Sequence, residues 1–367
     1  MTEPATLSKT KKPEAGSRVD PGALKSFVAA LFAASGSERG EAVIVADHLV
    51  ESNLRGHDSH GVLRVSKYVD WVRQGALLPN QHASIVSDRG ALLTVDGGFG
   101  YGQVIGREAM TLAADRARQL GMCAIAIRNA GHLGRVGAWA EQLADAGFVS
   151  MHFVNTSGFG ILVAPHGGSD RRLSANPIAA GAPMPGRPPI ILDIATSLVA
   201  EGKIQVARNK GESLEPGWVT DGQGRPTTDP AAFYRDPPGA IFPIAGHKGS
   251  GLSIMCELLA GSLTGGGSSH PKNESAWRLV NNMMTICFDP SAFPGADFVS
   301  DVLRLSDWVK ASPPIRPGGT IALPGEIEAA VTAERSQNGI PLDPETLSQL
   351  IQTAKSLSVP VPPELSS

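Results

Sequence analysis

The sequence predicts an α/β fold, in which strands and helices alternate through the central region and helices lie at both ends. Between residues 91 and 158, short apolar runs rich in β-formers alternate with longer segments of helical periodicity, a pattern typical of an α/β core. Near each end an Asp-Pro pair, beginning at Asp20 and at Asp343, opens an amphipathic helix. With 367 residues, 42% of them hydrophobic, the chain can bury a large core and form about two domains.

The charge balance and the cysteines narrow the class of protein. A net charge of −3 gives no electrostatic footprint for nucleic acid or for an anionic membrane surface. Cys123, Cys256 and Cys287 are odd in number and lie in apolar runs, which is typical of free thiols in a reducing compartment. Residues 1–18 lack an apolar signal segment and are predicted to be a disordered tail. We therefore expect a cytoplasmic protein that acts on small molecules, without nucleic acid or membrane partners.

Three helices are predicted before residue 80. The first follows Asp20, and the second is capped by Ser37 and ends at Gly56. The third begins near Gly61 and ends before Gly75. The segment GHDSH, which carries two histidines, therefore bridges the second and third helices.

The remaining elements follow in sequence order. Apolar β-type runs predict strands, and helical periodicity predicts the segments between them. The strands are expected at 91–97, 122–129, 148–157 and 190–197, and the helices at 107–121, 138–147, 198–211, 326–336 and 343–356. Residues 246–266 are expected to form a glycine-rich turn followed by a strongly apolar helix. We expect the helices of both ends to pack together as a helical domain of residues 19–80 plus 326–360, beside a central α/β region of residues 81–325.

A glycine-rich segment, DGGFGYGQVIG at residues 96–106, lies between a predicted strand and a helix. The spacing of Gly100, Gly102 and Gly106 departs from the dinucleotide fingerprint GxGxxG. The next strand also ends at Arg128-Asn129 without the acid that would bind a ribose. The sequence therefore predicts a fold outside the Rossmann class, with a turn whose glycines let the backbone pass close to a neighbour.

Ser59, His60 and Arg64 form a candidate substrate site. A helix that started at Gly61 would put residues 60 and 64 one turn apart on one face. Arginine matches a carboxylate with two hydrogen bonds, and histidine exchanges protons near neutral pH. The alternative is that Arg64 pairs with a surface acid and His60 caps a helix. His57 and His60 lack a cluster of cysteines or carboxylates at ligand spacing, so we expect no metal site.

Three further residues lie where α/β proteins place functional groups. His132 follows an apolar strand and precedes a helix, among small residues. Asp193 ends an apolar run, where it could bind ribose hydroxyls or backbone amides, or simply form a turn or cap the following helix. Lys248 lies among glycines ahead of a helix, which suits a phosphate, although a simple tight turn has the same pattern.

Eight motifs, in the same order and over roughly residues 20–360, resemble the malate/L-lactate dehydrogenase family, which lies outside the Rossmann class. They are RGHDSHGVLR, NAGHLGRVG, HFVNTS, SANPIAAGAP, ILDIATSLVAEGKI, PGWVTDGQGRPTTDP, GHKGSGLSIMCELLAGSLTG and LPGEIEA. The family includes ureidoglycolate and sulfolactate dehydrogenases and Δ1-piperideine-2-carboxylate/pyrroline-2-carboxylate reductases. The resemblance implies an oxidoreductase with a non-Rossmann NAD(P)-binding central domain, NAD or NADP as cofactor, a small carboxylate substrate and a homodimer.

The resemblance also implies roles for individual residues. Arg64 matches the arginine that receives the substrate carboxylate, and Ser59-His60 matches the family's Ser-His pair. His132 matches a histidine that accepts the proton in some members, with His60 as the alternative base. The residues that match cofactor-contacting segments are Gly134, Thr156, Asp193, Ile194, Ala195, Lys248, Gly249 and Gly325.

Two alternatives differ from a 2-hydroxy acid dehydrogenase. One is an NADPH-dependent reductase of a cyclic imine, but some such reductases carry an aspartate where Lys203 stands here. The other is a cofactor-binding homologue without catalysis, which the joint presence of the matched histidines, arginine and lysine disfavours. Departures from the family pattern leave the substrate and the choice of nucleotide open; they are Leu133, Gly158, Ala175 and Ala322.

Overall fold

The computed structural model describes residues 17–271, 277–295 and 297–365. Its strands are β1 (Ser17–Val19), β2 (Ser84–Arg89), β3 (Leu92–Asp96), β4 (Met122–Ala130), β5 (Val149–Gly158), β6 (Ile178–Ala182), β7 (Ile190–Ile194), β8 (Val219–Thr220), β9 (Pro226–Thr227), β10 (Leu279–Phe288) and β11 (Ile340–Leu342). Its α-helices are α1 (Pro21–Ala34), α2 (Arg39–Leu54), α3 (Val65–Arg73), α4 (Gly102–Leu120), α5 (Gly137–Asp145), α6 (Glu201–Lys210), α7 (Pro230–Tyr234), α8 (His247–Cys256), α9 (Phe298–Lys310), α10 (Glu326–Asn338) and α11 (Pro344–Leu357).

A seven-stranded mixed sheet forms the centre of the molecule, and its order is β2-β3-β4-β10-β5-β6-β7. Only β3 and β4 run parallel in it; the other neighbours are antiparallel. A Rossmann sheet is mostly parallel, so the predicted α/β class and its departure from the Rossmann fold are both confirmed. Helices α4 and α5 cover the sheet through a core that includes Ile105, Met110, Ile127, Trp139 and Leu143.

The glycine-rich turn brings the start of α4 against the segment after β4. A Cβ atom on Gly102 would lie 2.4 Å from the carbonyl oxygen of His132, closer than any side chain allows. A Cβ atom on Gly106 would lie 2.6 Å from the ring of Trp139. The close backbone approach predicted for residues 96–106 is confirmed, and it fixes where His132 lies.

The helices from the two chain ends share a second core. The side chains of Asp20 and Asp343 accept hydrogen bonds from backbone amides at the starts of α1 and α11, as their Asp-Pro pairs predict. The predicted cap at Ser37 is wrong, because α2 begins one residue later, after Glu38. Buried residues of α1, α2, α3, β11 and α11 pack together.

The predicted tail is two residues too long. Ser17 and Arg18 pair with Leu342 and Pro341 in the two-stranded sheet of β1 and β11, because the chain there has a complementary strand from the other end. Residues 1–16 of the predicted tail lie outside the described residues.

His152 is fully buried between β5 and β10, and it makes the stability of the protein sensitive to acid. Its ring nitrogens contact the hydroxyls of Ser150 and Thr285, each at 2.9 Å. Burial lowers the pKa of His152 from 6.5 to about 3. Below pH 6.5 the unfolded chain therefore binds a proton that the folded chain does not, and stability falls as the pH falls.

We expect His152→Gln to flatten this pH dependence by about 1.4 kcal/mol per pH unit from pH 6.5 down to about pH 4. Urea unfolding of wild type and variant across this range measures the effect. His82→Gln, at an exposed histidine whose pKa is raised by Glu108, is the control and should not flatten the curve. Equal slopes for wild type and His152→Gln would contradict the assignment.

Candidate active site

Two histidines that are far apart in sequence stack on one another. His60 ends a 3-10 turn at Asp58–His60, and His132 follows β4. Their ring centroids are 5.3 Å apart and their planes differ by 4°. The structure thus places the two candidate bases in one site, and Arg64 contributes its charge there.

The chain between His60 and Arg64 is not the helix that the sequence predicts. A second 3-10 turn covers Val62–Arg64, and α3 begins only at Val65. The cause is Asn53, whose Oδ1 accepts a hydrogen bond from the Val62 amide at 2.8 Å and whose side chain packs against Gly61. The prediction that His60 and Arg64 share one α-helical face is therefore wrong, although both still belong to this site.

One hydrogen bond to the backbone holds the Arg64 side chain and leaves the terminal nitrogens of its guanidinium as donors. Its Nε donates to the Ser59 carbonyl oxygen at 2.7 Å. Within the described part of the chain, the Arg64 guanidinium bonds to this carbonyl oxygen and to no acid, so the alternative that it pairs with a surface acid is not supported. The terminal nitrogens of its guanidinium can therefore bind a carboxylate with two hydrogen bonds. Ser59 faces α6, since a Cβ on Gly202 would lie 3.8 Å from the Ser59 Cβ.

His132 is anchored at one of its two ring nitrogens. Nδ1 lies 2.6 Å from the Tyr68 hydroxyl, which lies 3.0 Å from the Gln103 Nε2. The next residue, Leu133, donates its amide to Asn281 Oδ1 at 2.9 Å. These contacts fix the ring and leave Nε2 as the nitrogen that can meet a substrate.

Sequence reasoning missed Tyr68 and Gln103 as parts of the site. Tyr68 reads as one apolar position of a helix, and Gln103 as part of a glycine-rich turn. A tyrosine that must be buried needs a hydrogen-bond partner, and this is the signal that could have pointed to it.

Both histidines of the stack are neutral at pH 7. Burial, with the charge of Arg64 as the next cause, lowers the pKa of His60 from 6.5 to about 3. The same two causes, in the same order, lower the pKa of His132 well below 6.5. A neutral imidazole has a lone pair, so the site can accept a proton while Arg64 stays charged.

Asp193 connects the sheet to α5. Its Oδ2 accepts a hydrogen bond from the Gly137 amide, at the first residue of α5, at 2.8 Å. The alternative prediction that it caps the following helix is wrong, because that helix, α6, has Ala200 at its N-cap and no side-chain cap. Burial is the main cause that raises the pKa of Asp193, and His57 is the largest cause that lowers it.

Lys248 lies in the first turn of α8 rather than ahead of it, because the helix already begins at His247. Its side chain is exposed, whereas Gly249 is buried against the carbonyl oxygen of Ile244. The Ile244 amide donates to the Thr196 carbonyl oxygen at 2.9 Å, which ties this turn to the residues after β7. Thr196, which directly follows Ile194 and Ala195, therefore lies against the turn that leads into α8.

Thr156 and Gly134 belong to the surroundings of His132. Thr156 Oγ1 accepts a hydrogen bond from Asn281 Nδ2 at 3.0 Å, and the same asparagine holds the Leu133 amide. Gly134 has φ +73°, and a Cβ there would lie 2.2 Å from His48 Nε2. Gly325, by contrast, precedes α10 and packs against the start of β7.

The start of α8 has two features that suit an anion such as a phosphate, although the amides of Lys248 and Gly249 already donate to the carbonyl oxygens of Ala245 and Ile244. An exposed ammonium at Lys248 and the positive end of the helix favour an anion at the same place. Elsewhere, the described residues include no group of three histidine, cysteine or acidic side chains that could hold a metal ion. No helix among them has the length and apolar character needed to span a membrane.

The candidate site thus holds two neutral histidines beside a guanidinium whose terminal nitrogens are left for a ligand. A family model described as malate/L-lactate dehydrogenase matches residues 19–351. The chain belongs to this family, as its motifs indicate, and is an oxidoreductase. Dehydrogenases of the family use nicotinamide cofactors.

Known proteins and solved structures are similar to this protein over nearly the whole chain. Hydroxycarboxylate dehydrogenase B of Escherichia coli K12 is 42% identical over 349 residues, which cover 95% of this chain and 96% of that protein. The structure of malate dehydrogenase from Pyrococcus horikoshii OT3 has a TM-score of 0.85 at 31% identity, covering 96% and 99% of the two chains. That of Δ1-piperideine-2-carboxylate reductase from Pseudomonas syringae has a TM-score of 0.81 at 30% identity, covering 92% and 99%.

Proposed function

We propose that the protein transfers a hydride between NAD or NADP and C2 of a small 2-hydroxy or 2-oxo carboxylic acid of malate, lactate or sulfolactate type. The observation that carries this proposal is the arrangement of His132 and Arg64. His132 is neutral and held through Nδ1, which leaves Nε2 for the substrate. Arg64 has donors for a carboxylate beside it. A 2-hydroxy acid needs a base at its C2 hydroxyl and a cation at the carboxylate on the adjacent carbon.

Each residue of the site has a role in this reaction. The nicotinamide, when bound, supplies the hydride chemistry at C2. His132 Nε2 accepts the proton of the substrate hydroxyl in oxidation and returns it in reduction. Arg64 binds the carboxylate and so orients the substrate. Ser59 precedes His60 in the turn Asp58–His60, and its side chain faces α6. His60, stacked on His132, is the alternative base.

Lys248 would hold the phosphates of the cofactor, because its ammonium lies at a helix start. Gly249 is assigned beside them, with its amide donating to the Ile244 carbonyl oxygen at 2.9 Å. The remaining cofactor contacts are assigned to residues near the end of β7 and near His132; they are Gly134, Thr156, Asp193, Ile194, Ala195 and Gly325. We assign the enzyme to the cytoplasm, since its three cysteines are free and buried.

A homodimer is supported by the surface of α8 and the π-helical turn Glu257–Ser262 that continues it. Exposed apolar side chains are unusually dense there, and large apolar patches commonly mark subunit interfaces. They are Leu252, Ile254, Met255, Leu258 and Leu263, each at least 41% exposed.

The absorbance of reduced nicotinamide tests the activity directly. Purified protein is assayed with malate, lactate, sulfolactate, ureidoglycolate and a cyclic imine carboxylate, each with NAD(H) and NADP(H). We expect turnover of a 2-hydroxy or 2-oxo acid that dialysis against a chelator does not abolish. Turnover of the imine alone would instead favour a second candidate function, the NADPH-dependent reduction of a cyclic imine carboxylate. The likeness to the piperideine-carboxylate reductase supports that candidate.

Two results would contradict the proposal. One is the absence of calorimetric binding of any of the four nucleotides together with no turnover of any acid. The other is a loss of activity on chelation that added zinc restores.

A further inference from the structure

Tyr68 and Gln103 form a buried hydrogen-bonded path behind His132. Each is only 1% exposed, and neither lies on the side of the ring where Nε2 is free. The path ends at Gln103, whose amide oxygen Oε1 is buried and has no hydrogen-bond partner among the described residues. No contact at this end of the path therefore fixes which way round the amide lies.

The orientation of the Gln103 amide decides which nitrogen of His132 carries the proton. When Nε2 of Gln103 donates to the Tyr68 oxygen, the Tyr68 hydroxyl is left to donate to His132 Nδ1. A neutral imidazole that accepts at Nδ1 carries its proton on Nε2. In that state His132 cannot accept a proton from a substrate.

Turning the amide by 180° reverses the path and moves no other heavy atom. The Gln103 oxygen then accepts the Tyr68 hydroxyl proton, and the amide nitrogen takes the buried position in which the oxygen has no partner among the described residues. The Tyr68 oxygen is free to accept from His132 Nδ1–H, and Nε2 is left with its lone pair. Amide oxygen and nitrogen are distinguished only by such networks, so both states are compatible with the same atomic positions.

We propose that Gln103 is a positioning residue that selects, through Tyr68, the tautomer of His132 in which Nε2 is a base. This inference rests on the proposed role of His132. When Nε2 takes the substrate hydroxyl proton, the imidazolium keeps its Nδ1–H on the Tyr68 oxygen. Tyr68 keeps its own proton on the Gln103 oxygen, and no further acceptor is needed.

The acidity of Tyr68 agrees with this proton balance. Burial raises the pKa of Tyr68 to about 12, so the phenol remains protonated while His132 changes its charge. The path therefore orients and stabilises the imidazolium without losing a proton itself, as an orienting acceptor does in other acid–base sites.

Gln103→Met tests the path, because it keeps the length of the side chain and removes the acceptor. The Tyr68 hydroxyl then has only His132 Nδ1 to donate to, which fixes the proton on Nε2. We expect kcat to fall by about 10- to 100-fold with little change in KM. Tyr68→Phe removes the hydroxyl that contacts His132 Nδ1 and is expected to lower kcat similarly.

Gln103→Glu is the complementary variant, because a carboxylate can only accept. The groups that face His132 are His60, Arg64, His48 and Lys67, which all lower its pKa. A negative charge at residue 103 opposes these groups, because it raises the pKa of His132. We expect kcat within about tenfold of wild type and the acid limb of kcat/KM at higher pH. Gln119→Glu adds the same charge on the exposed surface of α4 and should change neither quantity.

The tautomer itself is measured by NMR of protein labelled with 15N in the histidine rings, without substrate or cofactor. We expect Nδ1–H for His132 in the wild type and in Gln103→Glu, and Nε2–H in Gln103→Met. His132→Gln identifies its signals.

The same tautomer in wild type and Gln103→Met, or a Gln103→Met enzyme with kcat within twofold of wild type, would overturn the inference. Failure of the proposed function looks different. If His132 is not the base, His132→Ala itself would remain active, irrespective of the kcat values of the Gln103 variants.

Discussion

Replacing His132 by alanine is expected to lower kcat by about 10²–10⁴-fold, the range that general acid–base assistance supplies. His132 has the features of a base, since it is neutral, anchored at Nδ1 and free at Nε2. His60→Ala is expected to cost less, because His60 has no comparable anchor: its Nδ1 is buried without a partner among the described residues. Steady-state kinetics with the best substrate of the screen measures both effects.

The pH profile separates the two histidines further. Burial and Arg64 lower the pKa of His132, so the acid limb of kcat/KM in the wild type should lie well below pH 6.5. His132→Ala should abolish this limb, and His60→Ala should retain it. His82→Ala, at an exposed histidine on the surface, is the control and should leave rate and limb unchanged. A His132→Ala enzyme that keeps the limb, beside a His60→Ala enzyme that loses it, would reverse the assignment.

Arg64→Ala is expected to lower kcat/KM for the acid substrate by about 10²-fold or more, because removing one partner of a desolvated charge pair costs about 2–5 kcal/mol. Arg64→Lys should not restore the activity, since an ammonium lacks the planar fork that matches a carboxylate. Nucleotide affinity, measured by calorimetry, should stay near that of the wild type.

Arg73→Lys is the matched control for this series, because Arg73 lies at the end of α3 and makes surface contacts with Asp70 and Ser356. It should behave as wild type. Unchanged substrate kinetics in Arg64→Ala would rule out the carboxylate clamp.

Local sequence signals predict much of the fold. The Asp-Pro caps at Asp20 and Asp343 and the alternating segments around α4 and α5 depend on neighbouring residues, which a sequence displays directly. The position of β10 between β4 and β5 could not be predicted in this way. It depends on pairing between residues more than one hundred positions apart.

In the candidate site, too, local sequence signals identify some features and long-range contacts decide others. His60, Arg64 and His132 could be selected by residue type and by the motifs around them. The path of the chain between His60 and Arg64 could not, because the side chain of Asn53 redirects it through a contact that no periodicity reveals. Gln103 was missed for a similar reason, since only the folded structure brings it to Tyr68.

A substrate deuterated at C2 tests the central claim most directly. The acid that is turned over in the screen is prepared with deuterium at C2 and oxidised by the purified protein, and the reduced nucleotide is analysed by mass spectrometry. The proposed reaction predicts that the recovered nucleotide carries the deuterium, and that Arg64→Ala and His132→Ala transfer it much more slowly. Product formation with a reduced nucleotide free of deuterium would contradict direct hydride transfer from C2.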